Sequence, residues 1–419
     1  MSESIDNRLL EASKAERTGD RSGALRLIEQ ICRDHPSETR AVLAAARLHR
    51  ELGQPQDAAE CLKAVDATQL KPDLLLDALL LRAEVARDLK LVAEQRSAID
   101  EVLALDAYCW PARLMLGQWL EQNGRPKEAA RTYRDTLRIA PPPAYRPDSH
   151  KAALEHAEKM AFSYAEALEW ALIQSMDGLP GVTDKWREAA SIVAGRSRPF
   201  VSQSNQIGVP RLPAQPFFRR EAFPWVPALE AKTDAIRAEM LSAFKEQGAD
   251  FEPYIQYKPG DPVNQWQELN HSTKWTGFHL IRSGQPVEKN LARCPATAAA
   301  LAQIDAVQIA GICPNVMFSV LQPKTRIPPH HGESNARLVA HLPLIVPPNC
   351  WFRVGYDYRE WREGEALIFD DTIEHEAAND SDQLRVVMIF DIWNPFLSLE
   401  ERALVQRLAQ VEQQFKADA

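Results

Sequence analysis

Between residues 16 and 141 apolar positions recur every three to four residues and are broken at near-regular intervals, as in ERTGDRSGALRLIEQICRDHP, RELGQPQDAAECLKAV, RDLKLVAEQRSAIDEVL and EQNGRPKEAARTYRDTLRIAP. Gly19, Gly53, Lys90 and Gly124 stand at the breaks, about 34 to 37 residues apart, which predicts helical pairs joined by tight turns. Ala24, Ala58 and Ala129 each follow a turn glycine by five residues, where the second helix of a pair must approach the first. Pro36 and Pro141 sit where second helices end. One pair cannot bury its apolar face alone, so stacked pairs predict a curved solenoid with a concave side suited to peptide. The third unit, turning on Lys90, keeps the spacing without the glycine.

The run Pro141-Pro142-Pro143, followed by Tyr145, Arg146 and Pro147, stops helix propagation and marks a boundary. From Ser149 to about Ala194 helical spacing returns through Leu154, Met160, Ala165, Leu168 and Leu172, and Gly195 to Pro216 reads as an extended entry to a second domain. From Asn315 the period changes to short β segments, NVMFSVLQ, LVAHLPLIV, WFRVGYDY, EALIFDD and LRVVMIFDIW, bounded by Gly, Pro and Asn. Such segments predict a closed sandwich or barrel. The last stretch, LSLEERALVQRLAQVEQQF, places Leu399, Ala403, Leu404, Leu408 and Val411 on one helical face, expected to cap the barrel or mediate a dimer. The expected domains are residues 1–145, helical repeats; 146–200, helical connector; 201–397, β domain; and 398–419, terminal helix.

Composition narrows the class. The 419 residues are 45% hydrophobic and 26% charged, long enough for two domains with cores of their own. A net charge of −9 argues against nucleic acid or an anionic membrane as the main partner. The N-terminal MSESIDNRLLEASKAER lacks a basic stretch followed by an apolar one, and no run of about 18 apolar residues occurs, so the expected location is cytoplasmic with no membrane span. Cys32, Cys61, Cys109, Cys294, Cys313 and Cys350 are scattered without a CxxC, which predicts reduced structural thiols.

Candidate chemistry gathers in the β region. His330 in PPHHGESNARL and His375 in FDDTIEHEAAND are followed by Arg385 in LRVVMIFD. Neutral imidazoles hold a redox-active ferrous ion with positions left open, and a buried guanidinium forks onto the far carboxylate of a diacid such as 2-oxoglutarate. Facial triads usually add a carboxylate two residues after the first histidine; here that residue is Gly332. Arg385 lies in an apolar run and needs a partner, either a bound diacid or a core carboxylate such as Asp391. His341 shares a strand face with Val339, Pro343 and Ile345, as a satisfied core histidine or a ligand contact. His331 should point away from His330, and Glu374, Glu376, Asp370 and Asp371 are candidates to orient an imidazole or to lie solvated in a loop. In EPYIQYKPGDPVNQWQELNHSTKWTGFHL, Tyr254, Tyr257, Trp266, His271, Trp275 and His279 suit a pocket mouth, with Trp275 and Phe278 expected in the core.

With two histidines on separate strands, the double-stranded β-helix is the expected barrel. The blocks PFFRREAFPW, LNHSTKWTGFHL, FSVLQPKTRIPPHHGESNARLVAHLPLIVP, EGEALIFDDTIEHEAAND and LRVVMIFDIWNP, in order between about Pro216 and Pro395, resemble the aspartyl/asparaginyl β-hydroxylase family, in which two histidines alone hold iron. The N-terminal period resembles tetratricopeptide repeats. The family resemblance implies His330 and His375 as iron ligands and Ser319, His341 and Arg385 as 2-oxoglutarate contacts. Where the family has an arginine, this chain has Val339; Arg337, on the same strand face, is the expected substitute. The implied function is an Fe(II)- and 2-oxoglutarate-dependent dioxygenase that uses O2 to hydroxylate an unactivated carbon, the β-carbon of aspartyl or asparaginyl residues in a peptide or protein gripped by the repeats. Alternatives are a hydroxylase of a small molecule or lipid, and a repeat-based adaptor with an inactive oxygenase domain. Two-histidine ligation implies metal binding that weakens as pH falls through about 6.5.

Overall fold

A computed structural model describes residues 4–66, 68, 70–245 and 251–417. They divide into two units, Met1–Val182 with Val193–Arg196, and Thr183–Ile192 with Ser197–Ala419.

The first unit is helical: α1 (Ile5–Arg17), α2 (Arg21–Asp34), α3 (Thr39–Glu51), α4 (Pro55–Lys63), α5 (Pro72–Asp88), α6 (Val92–Leu105), α7 (Trp110–Gln122), α8 (Pro126–Leu137) and α9 (Asp148–Met176). The four sequence breaks form one device. Gly19, Gly53, Lys90 and Gly124 all have left-handed φ, at 88°, 76°, 60° and 72°. In each case the next residue's N–H returns to a carbonyl five residues back: Asp20 to Ala15, Gln54 to His49, Leu91 to Ala86, and Arg125 to Leu120. This is a Schellman closure, which satisfies carbonyls the helix end would leave open. Lys90 adopts the glycine geometry despite its Cβ, so the degenerate third repeat is structurally regular. Ala24, Ala58 and Ala129 are completely buried, as close helix approach requires. Helix α9, in the expected connector, packs on α7 and α8 through Leu154 and Ala157 and prolongs the stack. All six cysteines are free thiols.

Helix α10 (Asp184–Ala194) leads to the second unit, which adds α11 (Val226–Glu230), α12 (Thr233–Lys245), α13 (Glu288–Leu291), α14 (Pro295–Leu301) and α15 (Leu399–Ala417). Its strands are β1 (Phe217–Phe218), β2 (Glu252–Pro253), β3 (Trp275–Arg282), β4 (Gln285–Pro286), β5 (Val316–Leu321), β6 (Thr325–His330), β7 (Arg337–Ile345), β8 (Cys350–Val354), β9 (Asp357–Arg359), β10 (Leu367–Phe369), β11 (His375–Asn379) and β12 (Arg385–Trp393). They make two antiparallel sheets, one in the order β1-β10-β7-β12-β5-β3-β2 with β4 on β3, the other β6-β11-β8-β9.

Strand alternation divides the cores. On β7 and β12, Leu338, Ala340, Leu342, Leu344, Val386, Met388 and Phe390 join a cluster with α11 and α12. The opposite parity, Val339 and Val387, faces a second cluster that includes Ile327, Phe352 and Ala377 of the smaller sheet. The same parity carries Arg337, His341, Arg385 and Asp391, so the pattern that builds the sheet also aims these polar groups between the sheets.

The five expected β segments all form, and the two histidines lie on separate strands as expected, on β6, which carries Pro328 and Pro329, and on the short β11. Strand β3 forms in the aromatic segment expected at the pocket mouth, and β1, β2 and β4 add two residues each outside the expected segments. Phe278 and Trp275 are both core, as expected, Phe278 in the first cluster and Trp275 in the second. On the terminal helix the face expected to cap the barrel or mediate a dimer is not the one that packs on the domain. The helix seats on the domain through Val405 and Ala409, beside Trp393 and Leu397, while Leu399, Leu404, Leu408 and Val411 are exposed. Two apolar stripes adjoin on this helix, and the stripe with the smaller residues packs. Residues 418 and 419 of the expected helix lie outside the described residues.

Candidate active site

A cavity of about 470 Å³ is lined by side chains from both sheets. His330 ends β6 and His375 begins β11, and antiparallel pairing sets them directly opposite each other. Their ring centroids are 4.0 Å apart. His330 Nδ1 is 2.8 Å from the Pro328 carbonyl and His375 Nδ1 is 3.1 Å from that of Ile373. A carbonyl only accepts, so each Nδ1 carries the proton and each Nε2 keeps a lone pair. Burial holds the His330 imidazole down to about 4, and burial followed by the neighbouring His330 holds His375 well below the ordinary range. Both rings are therefore neutral at pH 7, in the tautomer that suits a divalent metal, and the proton competition expected near 6.5 is displaced downward. Among the described residues no group of three or more His, Cys, Asp or Glu is arranged to hold a metal ion.

The four carboxylates near His375 do not orient the imidazoles. Asp370 accepts from Thr372 N at 2.9 Å and Thr372 Oγ1 at 2.5 Å. Glu374 and Glu376 are both taken by Arg353 on β8. Asp371 turns its carboxylate over Gly332, where a Cβ would collide with it. Gly332 is thus required by packing. The extended segment before β1 buttresses this corner: Asn205 N and Gln203 N donate to the Gly332 and Thr372 carbonyls at 3.0 and 2.7 Å. Asn205 Nδ2 holds the His331 carbonyl at 2.7 Å, and His331 itself lines the cavity.

Across the cavity lie Ser319 of β5, His341 of β7 and Arg385 of β12. Two tryptophans fix the first two. Trp275 Nε1 donates to Ser319 Oγ at 3.0 Å, and Trp361 Nε1 donates to His341 Nδ1 at 3.1 Å. His341 must therefore be unprotonated at Nδ1, which leaves Nε2 as the N–H donor. Burial, then Arg385, keeps its pKa well below normal. Arg385 is 1% exposed, and its Nε and Nη1 have no hydrogen-bond partner. Its guanidinium lies 4.9 Å from the Trp361 ring centroid, and burial depresses its pKa to about 10. A buried, orphaned guanidinium is rare and marks a place for an anion. The core carboxylate weighed as its partner, Asp391, goes elsewhere.

Asp391 belongs to Arg337, expected beside the co-substrate and found lining the same cavity. Arg337 Nη1 meets Asp371 at 2.8 Å, Nη2 meets Glu333 at 3.0 Å and Nε lies 3.5 Å from Asp391. Asp391 also accepts from Asn315 N at 2.6 Å. Burial raises Asp371 to about 7 against the pull of Arg337. Val339 lines the cavity between Arg337 and His341, on the expected face.

Sequence reasoning brought together His330, His375, Ser319, His341, Arg385 and Arg337, and missed Trp361, the indole of Trp275 as a donor, and Glu333. Trp361, alone in the polar turn YREWREGE, was the available signal. Tyr254 and Trp266 line the cavity as expected, whereas His271 and His279 do not.

Comparison with known proteins accords with this geometry. Residues 230–395 match the family model for aspartyl/asparaginyl beta-hydroxylase. An ornithine lipid ester-linked acyl 2-hydroxylase of Rhizobium tropici is 34% identical over 200 residues, 47% of this chain and 67% of that protein. The mouse aspartate beta-hydroxylase domain-containing protein 2 is 30% identical over 57% of this chain and 68% of its own. The mouse aspartyl/asparaginyl beta-hydroxylase is 25% identical over 93% of this chain, which spans 55% of that relative's length. Among solved structures, a thermophilic TPR protein of Thermus thermophilus aligns at 18% identity and a TM-score of 0.31, covering 45% of this chain and 100% of that one. The N-terminal region is a helical repeat by its own geometry, and the chain belongs to the aspartyl/asparaginyl β-hydroxylase family.

Proposed function

We propose that the second unit is a double-stranded β-helix oxygenase domain that binds Fe(II) and 2-oxoglutarate and uses O2 to hydroxylate an unactivated carbon. The observation that carries this reading is the orphaned guanidinium of Arg385 across one cavity from a cross-strand pair of neutral histidines. His330 and His375 would hold the metal through Nε2, their Nδ1 protons being engaged by main-chain carbonyls. The metal and keto-acid, when bound, supply the oxidising power. The chain supplies position and charge. Arg385 meets the far carboxylate of the co-substrate through its unpartnered N–H groups, Ser319 and the Nε2–H of His341 complete that cradle, and Trp275 and Trp361 hold both in the donating orientation. Arg337 is committed to carboxylates and serves to anchor Asp371 and Asp391.

The relatives are named for protein and for lipid hydroxylation, so an aspartyl or asparaginyl side chain is proposed here from relationship alone. For a polypeptide substrate, a groove of 690 Å³ in the first unit offers Arg40, Arg47 and Arg50 of α3 above a floor of Leu74, Leu80, Leu114 and Met115. The test is anaerobic titration of the apoprotein with Fe(II) and 2-oxoglutarate. A broad visible charge-transfer band in wild type, absent in His375→Ala, is expected; iron-loaded wild type without the band would leave the adaptor as the better reading.

A further inference from the structure

Two guanidiniums and three carboxylates line the cavity, and they are unequally matched. All three carboxylates, Asp371, Glu333 and Asp391, converge on Arg337 at 2.8, 3.0 and 3.5 Å. Arg385 touches none of them and, on the reading above, is spent on the co-substrate. Once the co-substrate is in place, the described lining residues hold no free cation for a carboxylate on the substrate. The carboxylates outnumber the one guanidinium they share.

Two separate observations point the same way. Asp371 is 6% exposed and lines the cavity, yet its Oδ1 has no hydrogen-bond partner, so an acceptor stands there without a donor. Tyr254, Trp266 and Trp275 line the same cavity, an aromatic wall of the kind that attracts cations. Of the three carboxylates Glu333 is the one within a ligand's reach, its side chain 39% exposed against 8% for Asp371 and 3% for Asp391.

We infer that the substrate of this site carries an amine or guanidinium near the carbon that is oxidised, and that Glu333 selects for it. The inference rests on the proposed oxygenase reading and names its substrate class. It departs there from the aspartyl side chain proposed above from relationship alone, since an aspartyl carboxylate would face these carboxylates, and a neutral asparaginyl amide stands between the two.

The test is calorimetric titration of the full chain, with Mn(II) and 2-oxoglutarate present, by blocked tripeptides acetyl-Gly-Xaa-Gly-amide, where Xaa is Arg, Lys, Asn or Asp, and by free L-arginine. The Arg or Lys peptide, or free arginine, should bind at least roughly tenfold more tightly than the Asp peptide, the scale of one partly buried charge pair. Peptide against free arginine tells which source carries the cation. Glu333→Gln should collapse the preference while 2-oxoglutarate still binds, and Glu333→Asp, which keeps the charge, should retain it. Binding of the Asp peptide as tight as that of the cationic probes, or no binding of any cationic probe, overturns the inference. Failure of 2-oxoglutarate itself to bind is seen in a separate titration and counts against the oxygenase reading instead.

Discussion

Replacing Arg385 with methionine should move stability and co-substrate affinity in opposite directions. The guanidinium is 1% exposed and its pKa is depressed to about 10 from 12.5 by burial, so the empty fold bears a desolvation cost of about 3 kcal/mol for keeping it charged. Methionine fills similar space and removes that cost, against the loss of about 1 kcal/mol of cation–π attraction to Trp361. A net gain of about 2 kcal/mol should raise the melting temperature of the apoprotein's second unit by roughly 4 to 8 °C. With metal and 2-oxoglutarate the order reverses, because removing one partner of a buried charge pair costs about 3–5 kcal/mol, a rise in Kd of roughly a hundredfold to several thousandfold. Differential scanning fluorimetry with and without Mn(II) and 2-oxoglutarate reads both effects. An Arg385→Met apoprotein that melts below wild type, or that binds 2-oxoglutarate within a few-fold of wild type, refutes the assignment of the orphaned guanidinium to a diacid.

Three further outcomes are expected. Lys90→Gly should stabilise the first unit by about 0.5–1 kcal/mol in urea melts, since Lys90 holds a left-handed φ of 60° that glycine adopts freely. Trp361→Phe keeps a ring but removes the N–H that donates to His341 Nδ1 at 3.1 Å, so the tautomer is released and 2-oxoglutarate affinity should fall by roughly tenfold, read by calorimetry. His279, a partly buried ring on β3 held down to about 4 by burial, remains neutral in the fold where the unfolded chain protonates near 6.5. The unfolded state therefore binds more protons in that window, and stability should fall as pH drops from about 6.5 toward 4, by at most about 3 kcal/mol for this group. In His279→Phe the melts should show a shallower fall, and an unchanged slope would contradict the burial of the ring.

Local rules made much of the molecule legible in the sequence. The helical repeats could be read because a Schellman turn every 34 to 37 residues leaves glycine, or Lys90 in its place, at a fixed offset. Strands β7 and β12 could be read because they are long and alternate. The histidine pair and Arg385 stood out because such residues in apolar surroundings need partners. Non-local causes hid the rest. Gly332 looked like a lost ligand, but it makes room for Asp371, 39 residues later in the chain. Arg337 looked free for the co-substrate, but it is drawn into three carboxylates, two of them on other segments. Trp361 carried no periodic signal, since a turn residue has no neighbours of the same face. On α15, hydrophobicity favoured the larger side chains, whereas shape admitted Val405 and Ala409.

The most direct test of the central claim is a crystal structure of the protein grown anaerobically with Fe(II) and 2-oxoglutarate. The account predicts a metal bonded to Nε2 of both His330 and His375, with the far carboxylate of the co-substrate on the guanidinium of Arg385. A metal bound elsewhere, or an Arg385 still without an anion while 2-oxoglutarate occupies another site, would contradict it.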